Sequence, residues 1–280
     1  MKNVIISNQN LEKIKKEIKK DGKSSIHVLA DFDRTLTKAF VNKRKIPSIL
    51  ALLRDSPLIS KEYAEKANSL FEYYHPIETN PLIREEERKS KMHEWWTRHF
   101  DLLMESGLNK KHIEKILESN DIQFREGTLE FLDFLHNNNI PLLIISSSGL
   151  GDAIPLLLEK YNRLYDNIHI ITNLYEWDKN GKAIKVKSPI IHVSNKDEEF
   201  IRNLPVFNLI KNRKNVILLG DSLDDVKMVH GFDYKNLIKI GFLNEETEKN
   251  LENYKKAFDI IILNDFNMNY VNNLMKEIVK

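Results

Sequence analysis

Six short runs of mainly apolar residues, each four to six residues long, limit the folds that this chain can adopt. Most of the runs are continuous rather than alternating, which is typical of parallel strands that are covered on both faces. Amphipathic stretches with helical spacing, such as Leu129–Leu135 and Ile154–Tyr161, lie between several of them. The runs are Ile26–Ala30, Ile140–Ile145, Ile168–Ile171, Val216–Leu219, Leu237–Ile240 and Ile260–Leu263. This alternation predicts an α/β fold with a doubly wound, mostly parallel sheet.

The segment after the first run departs from this alternation. Between about Lys38 and Asn120 no convincing strand is found, and Glu, Lys, Leu and aromatic residues are abundant. Helical spacing occurs in three stretches, which are Ile49–Leu53, Tyr63–Tyr74 and Trp95–Leu103. We therefore predict an α/β core formed by residues 1–38 and 120–280, with a helical bundle inserted at residues 39–119. This inserted segment is called the helical insertion below.

The charge balance argues against one class of function. The 280 residues include 43 Lys and Arg and 41 Asp and Glu, giving a net charge of +2. A protein that wraps polyanions by bulk charge needs a larger basic excess. The lysines between Lys13 and Lys20 could form a local nucleic-acid patch, but Glu12 and Glu17 border or interrupt them, which favours a solvated helix face. We expect no nucleic-acid partner.

Two absences in the sequence bear on chemistry and location. The chain contains no cysteine, which excludes disulfides, thiolate nucleophiles and cysteine-ligated zinc. Its longest apolar run, Ile140–Ile145, is far shorter than the roughly 18 residues that a membrane span needs. The N-terminal apolar run is also too short for the core of a signal peptide. We expect a cytoplasmic protein with no membrane partner.

Two carboxylates, Asp31 and Asp33, directly follow the first run. Residues at i and i+2 can face the same site if the strand has just ended and the chain is turning. One carboxylate could then attack an electrophile while the other handles a proton. Their mutual repulsion would require a cation, most simply Mg²⁺. The alternative is a polar strand end that caps the next element.

Hydroxyl and basic groups follow later in the chain. Ser147 and Ser148 stand between the run that ends at Ile145 and the start of a helix. Hydroxyls and free backbone N–H groups in that position can bind an anion, although an ordinary strand-to-helix turn uses the same residues. Lys196 could neutralise phosphate oxygens and a neighbouring carboxylate, and the alternative is a surface charge.

Asp221 and Asp225 come after the run Val216–Leu219. They could complete a metal shell, or they could belong to an Asp-rich turn. The glycine and distal glutamate of an EF-hand loop are missing. All four motifs stand near the C-terminal ends of predicted strands, where open α/β sheets place their ligands. Their order along the chain is more informative than any one of them.

This order resembles that of the haloacid-dehalogenase-like hydrolase superfamily, whose motifs follow one another in the same way on a doubly wound sheet. A closer resemblance is to the cytosolic pyrimidine 5′-nucleotidase (cytosolic 5′-nucleotidase III) family, and it extends from about Ile26 to the C-terminus. Four stretches carry it, which are Tyr73–Glu78, Met92–Thr97, Ile191–Lys196 and Ile217–Ser222. The resemblance implies a haloacid-dehalogenase-like core with a helical cap for substrate selection at residues 39–119.

The resemblance also implies catalytic and phosphate-binding roles. Asp31 is the nucleophile that accepts the phosphoryl group, and Asp33 is the general acid and then the general base. Ser147 and the adjacent backbone at Ser148 hold phosphate oxygens. Lys196 stabilises the charge of the phosphate and of the Asp31 carboxylate.

A magnesium site is implied in the same way. Asp31, Asp221 and the backbone carbonyl of Asp33 bind Mg²⁺, and Asp225 supports the shell.

The helical insertion is implied to select the base. Glu78 falls where the family places a carboxylate at the base edge, and a carboxylate can accept a hydrogen bond from the exocyclic amine of cytosine. Trp96, or its neighbour Trp95, either stacks on the base or packs within the insertion. His99 stands where the family commonly has a small hydroxyl residue, and the larger imidazole could change base preference.

Together these features predict a Mg²⁺-dependent 5′-nucleotidase that hydrolyses nucleoside 5′-monophosphates, with UMP and CMP favoured, through an aspartyl-phosphate. The nearest alternative is a phosphatase or phosphotransferase of the same chemistry that acts on 7-methyl-GMP or another small phosphate ester, with a nucleoside as possible acceptor. A more distant alternative is a non-catalytic scaffold or nucleic-acid-binding protein. We expect a monomer.

Overall fold

The computed structural model describes residues 3–80, 82–196, 201–230 and 232–279. Its strands are β1 (Val4–Ile6), β2 (Ile26–Ala30), β3 (Phe40–Val41), β4 (Arg44–Lys45), β5 (Leu142–Ile145), β6 (Ile168–Ile171), β7 (Tyr175–Trp177), β8 (Ala183–Val186), β9 (Asn215–Gly220), β10 (Asn236–Leu243) and β11 (Ile260–Leu263). Within the described residues, seven of these strands form one sheet in the order β1-β11-β10-β9-β2-β5-β6.

The sheet is mostly parallel, as the continuous apolar runs predict. Only β1 runs antiparallel to its neighbour, β11. At the centre, Leu29 of β2 pairs with Leu143 of β5 on one side and with Leu218 of β9 on the other, and all three are buried. The edge strand β1 is not predicted, because three half-exposed residues make too short a pattern.

The order in which the chain adds strands to the sheet reverses beside β2. From β2 it continues to β5 and β6 on one side, and later it crosses to β9, β10 and β11 on the other. Such a switch point leaves a crevice at the carboxyl ends of the two central strands. The loops after β2, β5 and β9 therefore meet there.

The helices are α1 (Leu11–Asp21), α2 (Ile49–Arg54), α3 (Lys61–Thr79), α4 (Glu85–Glu105), α5 (Lys110–Glu118), α6 (Thr128–Asn137), α7 (Ala153–Lys160), α8 (Phe207–Ile210), α9 (Thr247–Ala257) and α10 (Asn269–Ile278). None of the described helices is both long enough and apolar enough to cross a membrane. The helices predicted from apolar spacing in the helical insertion correspond to α2, α3 and α4.

The helical insertion leaves and rejoins the core through two segments that touch. Thr37 pairs in antiparallel fashion with Phe124, and the backbone N–H of Lys38 donates to the carbonyl of Gln123 at 2.9 Å. Within the insertion, α3 packs along α4. The boundaries at residues 39 and 119 stay predictions.

One expectation about the insertion is wrong. The sequence predicts no strand between Lys38 and Asn120, but the two-residue strands β3 and β4 pair there in an antiparallel hairpin. Asn42 and Lys43 form its turn, with φ values of 51° and 64°. Strands this short contain no apolar run, so only the turn residue Asn42 could have indicated them.

A second hairpin, formed by β7 and β8, also escapes prediction, and its strand β8 contacts α4. Its buried Tyr175 packs edge-on against Phe100 of α4, with ring centroids 5.9 Å apart. The Tyr175 hydroxyl donates to the carbonyl of Gly149 at 2.8 Å. The hairpin thereby joins the helical insertion to the loop after β5.

Candidate active site

The loops that follow β2, β5 and β9 enclose a cavity of about 230 Å³ at the carboxyl edge of the sheet. Several polar side chains at positions predicted from the sequence line this acidic cavity, which are Asp31, Asp33, Ser147, Lys196, Asp221 and Asp225. The parallel strands explain this convergence, because all three loops leave the sheet in the same direction. Lys196 reaches the same point from the turn after the β7–β8 hairpin.

Lys196 is paired with the first carboxylate. Its Nζ lies 2.8 Å from Oδ1 of Asp31 and 3.8 Å from Oδ1 of Asp225, and all three side chains are buried. Burial alone would lower the pKa of Lys196. The negative charges of Asp31 and Asp225 outweigh burial and raise that pKa above its ordinary value. The lysine is therefore a fixed positive charge inside the acidic cavity.

Three carboxylates in this cavity can share a cation. Asp31, Asp221 and Asp225 each offer an oxygen, and these oxygens all lie within 4.8 Å of one another. Burial, followed by the charge of Asp31, raises the pKa of Asp225 to about 7 and that of Asp221 well above its usual range. Among the described residues that line this cavity, five are carboxylic acids and three are basic, which are Arg34, Lys38 and Lys196, so acidic groups are in excess. Hard oxygen donors with this charge fit Mg²⁺.

The position of Asp225 is set by the backbone. Its Oδ2 accepts hydrogen bonds from the N–H groups of Asp221 at 3.1 Å and of Ser222 at 2.9 Å. Gly220 allows this close approach, because a Cβ at that residue would lie 2.5 Å from the Cβ of Asp225. The last residue of β9 must therefore lack a side chain, so that Asp225 can lie against the backbone of the turn that follows β9.

Asp33 stands between the acidic cavity and a second cavity beside it. The loss of solvation, followed by the charge of Asp31, raises the pKa of Asp33 to about 7. A carboxyl group with such a pKa can donate and accept a proton near neutral pH.

The loop after β5 is held by its own hydroxyls. Oγ of Ser146 accepts from the N–H of Ser148 at 3.1 Å, and Oγ of Ser148 accepts from the N–H of Leu150 at 3.3 Å. In the part of the chain that the structure describes, no hydrogen bond engages the Ser147 hydroxyl, which faces both cavities. Ser147 is thus free to bind an anion.

Asn173, which sequence reasoning missed, joins two of these segments. Its buried Nδ2 donates to the carbonyls of Ser148 at 3.1 Å and Ile191 at 2.8 Å, and its Oδ1 accepts from the N–H of Ile191 at 2.8 Å. The segment at Ile191 leads directly to Lys196. The only sequence signal for Asn173 is its place just after the run Ile168–Ile171.

Arg125 is a second residue that the sequence analysis missed. Its fully buried side chain donates through Nε to the carbonyl of Thr35 at 2.9 Å and through Nη2 to the carbonyl of Arg34. Nη1 also pairs with Asp265 at 2.9 Å. Arg34 has a φ of 61°, so Arg125 stabilises a turn of unusual backbone conformation directly after Asp33.

The second cavity, of about 760 Å³, lies between the helical insertion and the loop after β5. Aromatic and polar side chains of α3 and α4 line this aromatic cavity, which are Asn68, Phe71, His75, Glu78, Trp95, Trp96 and His99. Asp33, Arg34 and Ser147 line it as well as the acidic cavity. A bound molecule can therefore extend from one cavity into the other.

Glu78 is a half-buried carboxylate at the wall of the aromatic cavity. It lies 3.2 Å from Nδ1 of His75, one turn before it on α3. Burial raises the pKa of Glu78 above its usual value, and His75 opposes the shift.

Trp96 both lines the aromatic cavity and packs within the fold. Its ring centroid lies 5.3 Å from that of Phe100, and a Cβ at Gly149 would lie 2.7 Å from its ring. Both alternatives for this residue therefore have structural support, and stacking on a base stays a prediction.

His99 is buried, and its Nε2 lies 2.9 Å from the hydroxyl of Tyr63. Burial, followed by the charge of Arg54, lowers the pKa of His99 to about 4. The imidazole is therefore neutral at physiological pH. Tyr63 is a third residue that sequence reasoning missed.

Comparison with known proteins assigns the chain that carries this site to a family. The family described as "Pyrimidine 5′-nucleotidase (UMPH-1)" matches residues 34–279. A protein of Gallus gallus named "7-methylguanosine phosphate-specific 5′-nucleotidase" is 34% identical over 263 residues, covering 94% of this chain and 91% of the relative. The Homo sapiens protein of the same name is 33% identical over 282 residues, covering 100% of this chain and 94% of the relative.

Solved structures agree with this assignment. Cytosolic 5′-nucleotidase IIIB bound to cytidine superposes with a TM-score of 0.89 at 26% identity, covering 99% of this chain and 94% of that structure. A substrate-bound phosphoserine phosphatase superposes with a TM-score of 0.51 at 17% identity, covering 89% of this chain and 96% of the other, and supports the fold alone. The chain therefore belongs to the pyrimidine 5′-nucleotidase family of haloacid-dehalogenase-like enzymes, and it is a phosphoric monoester hydrolase of the 5′-nucleotidase type.

Proposed function

We propose that this enzyme hydrolyses nucleoside 5′-monophosphates in two steps through a phosphoryl group on Asp31, with Mg²⁺ as cofactor. The observation that carries the proposal is the ion pair of 2.8 Å between Lys196 and Asp31. It holds Oδ1 of the carboxylate and leaves Oδ2 for another partner. Asp33 and Ser147 line the same cavity and complete the set of groups that phosphoryl transfer needs.

In the first step an oxygen of Asp31 attacks phosphorus, and the bond between phosphorus and the 5′ oxygen breaks. Asp33 donates its proton to that leaving oxygen, which departs as the nucleoside hydroxyl. In the second step Asp33 takes a proton from water, and the water oxygen attacks the phosphorus. Inorganic phosphate leaves and the Asp31 carboxylate is regenerated. A pKa of about 7 suits Asp33 to both transfers.

Lys196 and Ser147 bind the phosphoryl oxygens in this proposal, and their fixed positions favour the transition state over the free substrate. Asp31, Asp221, Asp225 and the backbone carbonyl of Asp33 would hold Mg²⁺. The bound ion would supply positive charge against the phosphoryl oxygens and against the clustered carboxylates.

The nucleoside would occupy the aromatic cavity, since that cavity joins the acidic one at Asp33 and Ser147. Rings of Trp95 and Trp96 offer flat faces for stacking, and the Glu78 carboxylate offers a hydrogen-bond acceptor. Cytosine presents an amine to such an acceptor. The guanine of 7-methyl-GMP presents both N–H donors and a positive charge that aromatic faces favour.

We therefore propose CMP and 7-methyl-GMP as the best substrates, ahead of UMP, which lacks an exocyclic amine. The curated relatives above are named for 7-methylguanosine phosphate, and the solved relative holds cytidine. A cytoplasmic location belongs to the same proposal, because the solved relative is named as cytosolic.

The test is inorganic phosphate release from a panel of CMP, 7-methyl-GMP, UMP, dTMP, AMP, GMP and phosphoserine, with Mg²⁺ and with EDTA. Asp31→Asn serves as the blank. Release that needs Mg²⁺, favours CMP and 7-methyl-GMP, and is lost in the variant supports the proposal. Equal release from UMP, which lacks an exocyclic amine, would overturn base selection by Glu78. Substantial activity in Asp31→Asn would overturn the covalent mechanism.

Transfer to a nucleoside acceptor is checked in the same assay. Labelled phosphate from CMP that appears in a new nucleotide, when a different nucleoside is added, would demonstrate transferase activity. Label found only in inorganic phosphate would limit the enzyme to hydrolysis.

A further inference from the structure

The contact between Tyr63 and His99 connects α3 to the wall of the aromatic cavity. Tyr63 is fully buried near the start of α3, and His99 is buried on α4, where its ring lines the cavity. The Tyr63 hydroxyl and Nε2 of His99 are 2.9 Å apart, and their rings meet edge to face. Within the described residues, neither side chain makes another hydrogen bond.

Two arrangements of the proton are possible in this contact. If Nε2 carried the hydrogen, it would donate to the tyrosine oxygen, and the buried O–H of Tyr63 would have no acceptor among the described residues. A buried donor without a partner loses its hydrogen bonds to water and gains none in return, which is unfavourable. If Tyr63 donates to a bare Nε2 instead, both of these groups are satisfied. The hydrogen without a protein partner then lies on Nδ1 of a ring that lines the cavity, where solvent or a ligand can accept it. The second arrangement is therefore favoured, and it places the imidazole hydrogen on Nδ1.

Nδ1 is the nitrogen that remains for a ligand. No side chain or carbonyl of the described residues bonds it, and the ring to which it belongs lines the aromatic cavity. His99 stays neutral at physiological pH, because burial and the nearby Arg54 lower its pKa to about 4. The Nδ1–H group is then an uncharged hydrogen-bond donor, and Nδ1 cannot act as an acceptor.

We propose that Tyr63 is a positioning residue that holds His99 as the Nδ1–H tautomer, so that the aromatic cavity presents one fixed donor in addition to the Glu78 acceptor. This inference rests on the proposed function. It specifies a base that carries both a carbonyl oxygen and an exocyclic amine. Cytosine and 7-methylguanine meet that requirement, whereas adenine has no carbonyl oxygen.

The direct test is nuclear magnetic resonance of the imidazole nitrogens in enzyme labelled with ¹⁵N-histidine. The chain has nine histidines, and the signals that disappear in His99→Gln identify His99. We expect a protonated Nδ1 and a bare Nε2 in the unaltered enzyme. A protonated Nε2 would overturn the proposal without any Tyr63 variant.

The functional test is Tyr63→Phe, which removes the hydroxyl and keeps the ring. We compare kcat/KM for CMP with kcat/KM for ribose 5-phosphate, which has no base. The ratio is expected to fall about tenfold, which corresponds to about 1.4 kcal/mol and is typical of one base-reading hydrogen bond. The ¹⁵N signals of His99 should show a mixture of tautomers in this variant.

Tyr74→Phe is the matched control. Tyr74 lies on the same helix, but its hydroxyl bonds Glu94 at 2.8 Å and Arg98 at 3.1 Å. This variant should retain both the substrate ratio and the His99 signals. Equal ratios in the Tyr63→Phe and unaltered enzymes would overturn the proposal.

The two proposals fail in different ways. If the unaltered enzyme releases phosphate from nucleotides but His99 carries its hydrogen on Nε2, the tautomer inference fails and the nucleotidase mechanism stands. If no nucleotide is hydrolysed, the proposed function fails, and the ¹⁵N signals still report the tautomer.

Discussion

The acidic cavity and the aromatic cavity adjoin each other but are constructed in different ways. In the acidic cavity of about 230 Å³, charged groups are fixed by short buried contacts, such as that of Lys196 with Asp31. The aromatic cavity is about 760 Å³, and its wall combines aromatic rings with polar and small side chains from several elements. The comparison indicates that the chemistry is strongly constrained, whereas base choice depends on a few side chains.

The origin of each cavity explains this difference. Loops from neighbouring strands of one sheet form the acidic cavity, and their geometry follows from strand pairing. Side chains of α3 and α4 in the helical insertion form much of the aromatic cavity. Substitutions in the acidic cavity should therefore lower kcat/KM by the same factor for all nucleotides. Substitutions in the aromatic cavity should change the ratio of kcat/KM between nucleotides.

The largest effect is expected for Asp33→Asn. The amide can neither donate a proton to the leaving oxygen nor accept one from water, so kcat should fall by about 10²–10⁴-fold. The fall should be equal for CMP and 7-methyl-GMP. Acid quenching followed by mass spectrometry should detect phosphoryl enzyme if the second step is slowed more than the first.

Asp224→Asn is the control for that variant, because Asp224 lies at the rim of the same cavity and pairs with Lys227 on the surface. It should keep most of the activity. A fall of unequal size for the two nucleotides in Asp33→Asn would contradict the separation of the cavities.

A smaller effect is expected for Asn173→Ala, which removes three buried hydrogen bonds. The carbonyl of Ser148 and both backbone groups of Ile191 lose their partner, so the free energy of unfolding should fall by about 2–4 kcal/mol. Displacement of the loop that carries Ser147 should also lower kcat by up to about 10²-fold on every nucleotide. Urea unfolding and phosphate release measure the two effects.

Asn167→Ala provides the comparison, since Asn167 donates one hydrogen bond to the carbonyl of Ile140 at the other end of the sheet. It should cost only about 1 kcal/mol and leave kcat unchanged. If Asn173→Ala alters base preference more than kcat, then the loop after β5 also serves the aromatic cavity.

The contrast between predicted and missed residues has a physical cause. Continuous apolar runs leave few alternatives to buried parallel strands, and parallel strands bring their carboxyl-end loops together. Asp31 and Asp221 could therefore be placed at one site from the sequence alone. The place of Lys196 beside these carboxylates is implied by the resemblance to the family. In the structure, Nζ of Lys196 lies 2.8 Å from Asp31.

Residues that act through buried contacts between distant segments have no such local pattern. Asn173 lies 25 residues from Ser148, and Tyr63 lies 36 residues from His99. Arg125 is misleading in a further way, because a charged residue ordinarily predicts an exposed position, and this one is fully buried. The hairpin of β7 and β8 differs, because Asn180 followed by Gly181, with a φ of 76°, is a turn signal in the sequence.

A still smaller effect is expected for Glu78→Gln. Replacing the acceptor with an amide should lower the ratio of kcat/KM for CMP over ribose 5-phosphate by about tenfold. The rate on ribose 5-phosphate isolates the chemistry, because that substrate has no base to contact residue 78. Phosphate release from both substrates gives the ratio.

The raised pKa of Glu78 predicts that the preference for CMP depends on pH. Burial raises the pKa of Glu78, so its carboxylate form is lost at a higher pH than for an exposed glutamate. The preference for CMP should be present above that pKa and decline as the pH falls through it. In Glu78→Gln the ratio should be insensitive to pH, and a decline of equal size there would assign the titration to another group.

The smallest effect is expected for Glu245→Gln, which tests how firmly the helical insertion is attached to the core. Oε1 of Glu245 lies 2.5 Å from Nζ of Lys45 in the β3–β4 hairpin and 3.7 Å from Arg34, and all three side chains are partly exposed. Exposed pairs contribute about 0–1 kcal/mol and are weakened by salt. Urea unfolding at low and high salt should show a loss below about 1 kcal/mol, and a smaller loss at high salt.

Glu252→Gln is the control, because it breaks the ion pair with Lys255 within α9. It measures how much a surface ion pair outside the insertion contributes to the free energy of unfolding. A loss well above that control, and independent of salt, would mean that the hairpin is rigidly docked on the core. The two cavities would then be fixed relative to each other, and substitutions in either one should affect both kcat and base preference. A loss equal to the control would mean that this ion pair does not fix the helical insertion, whose position then depends on contacts such as that of Phe100 with Tyr175.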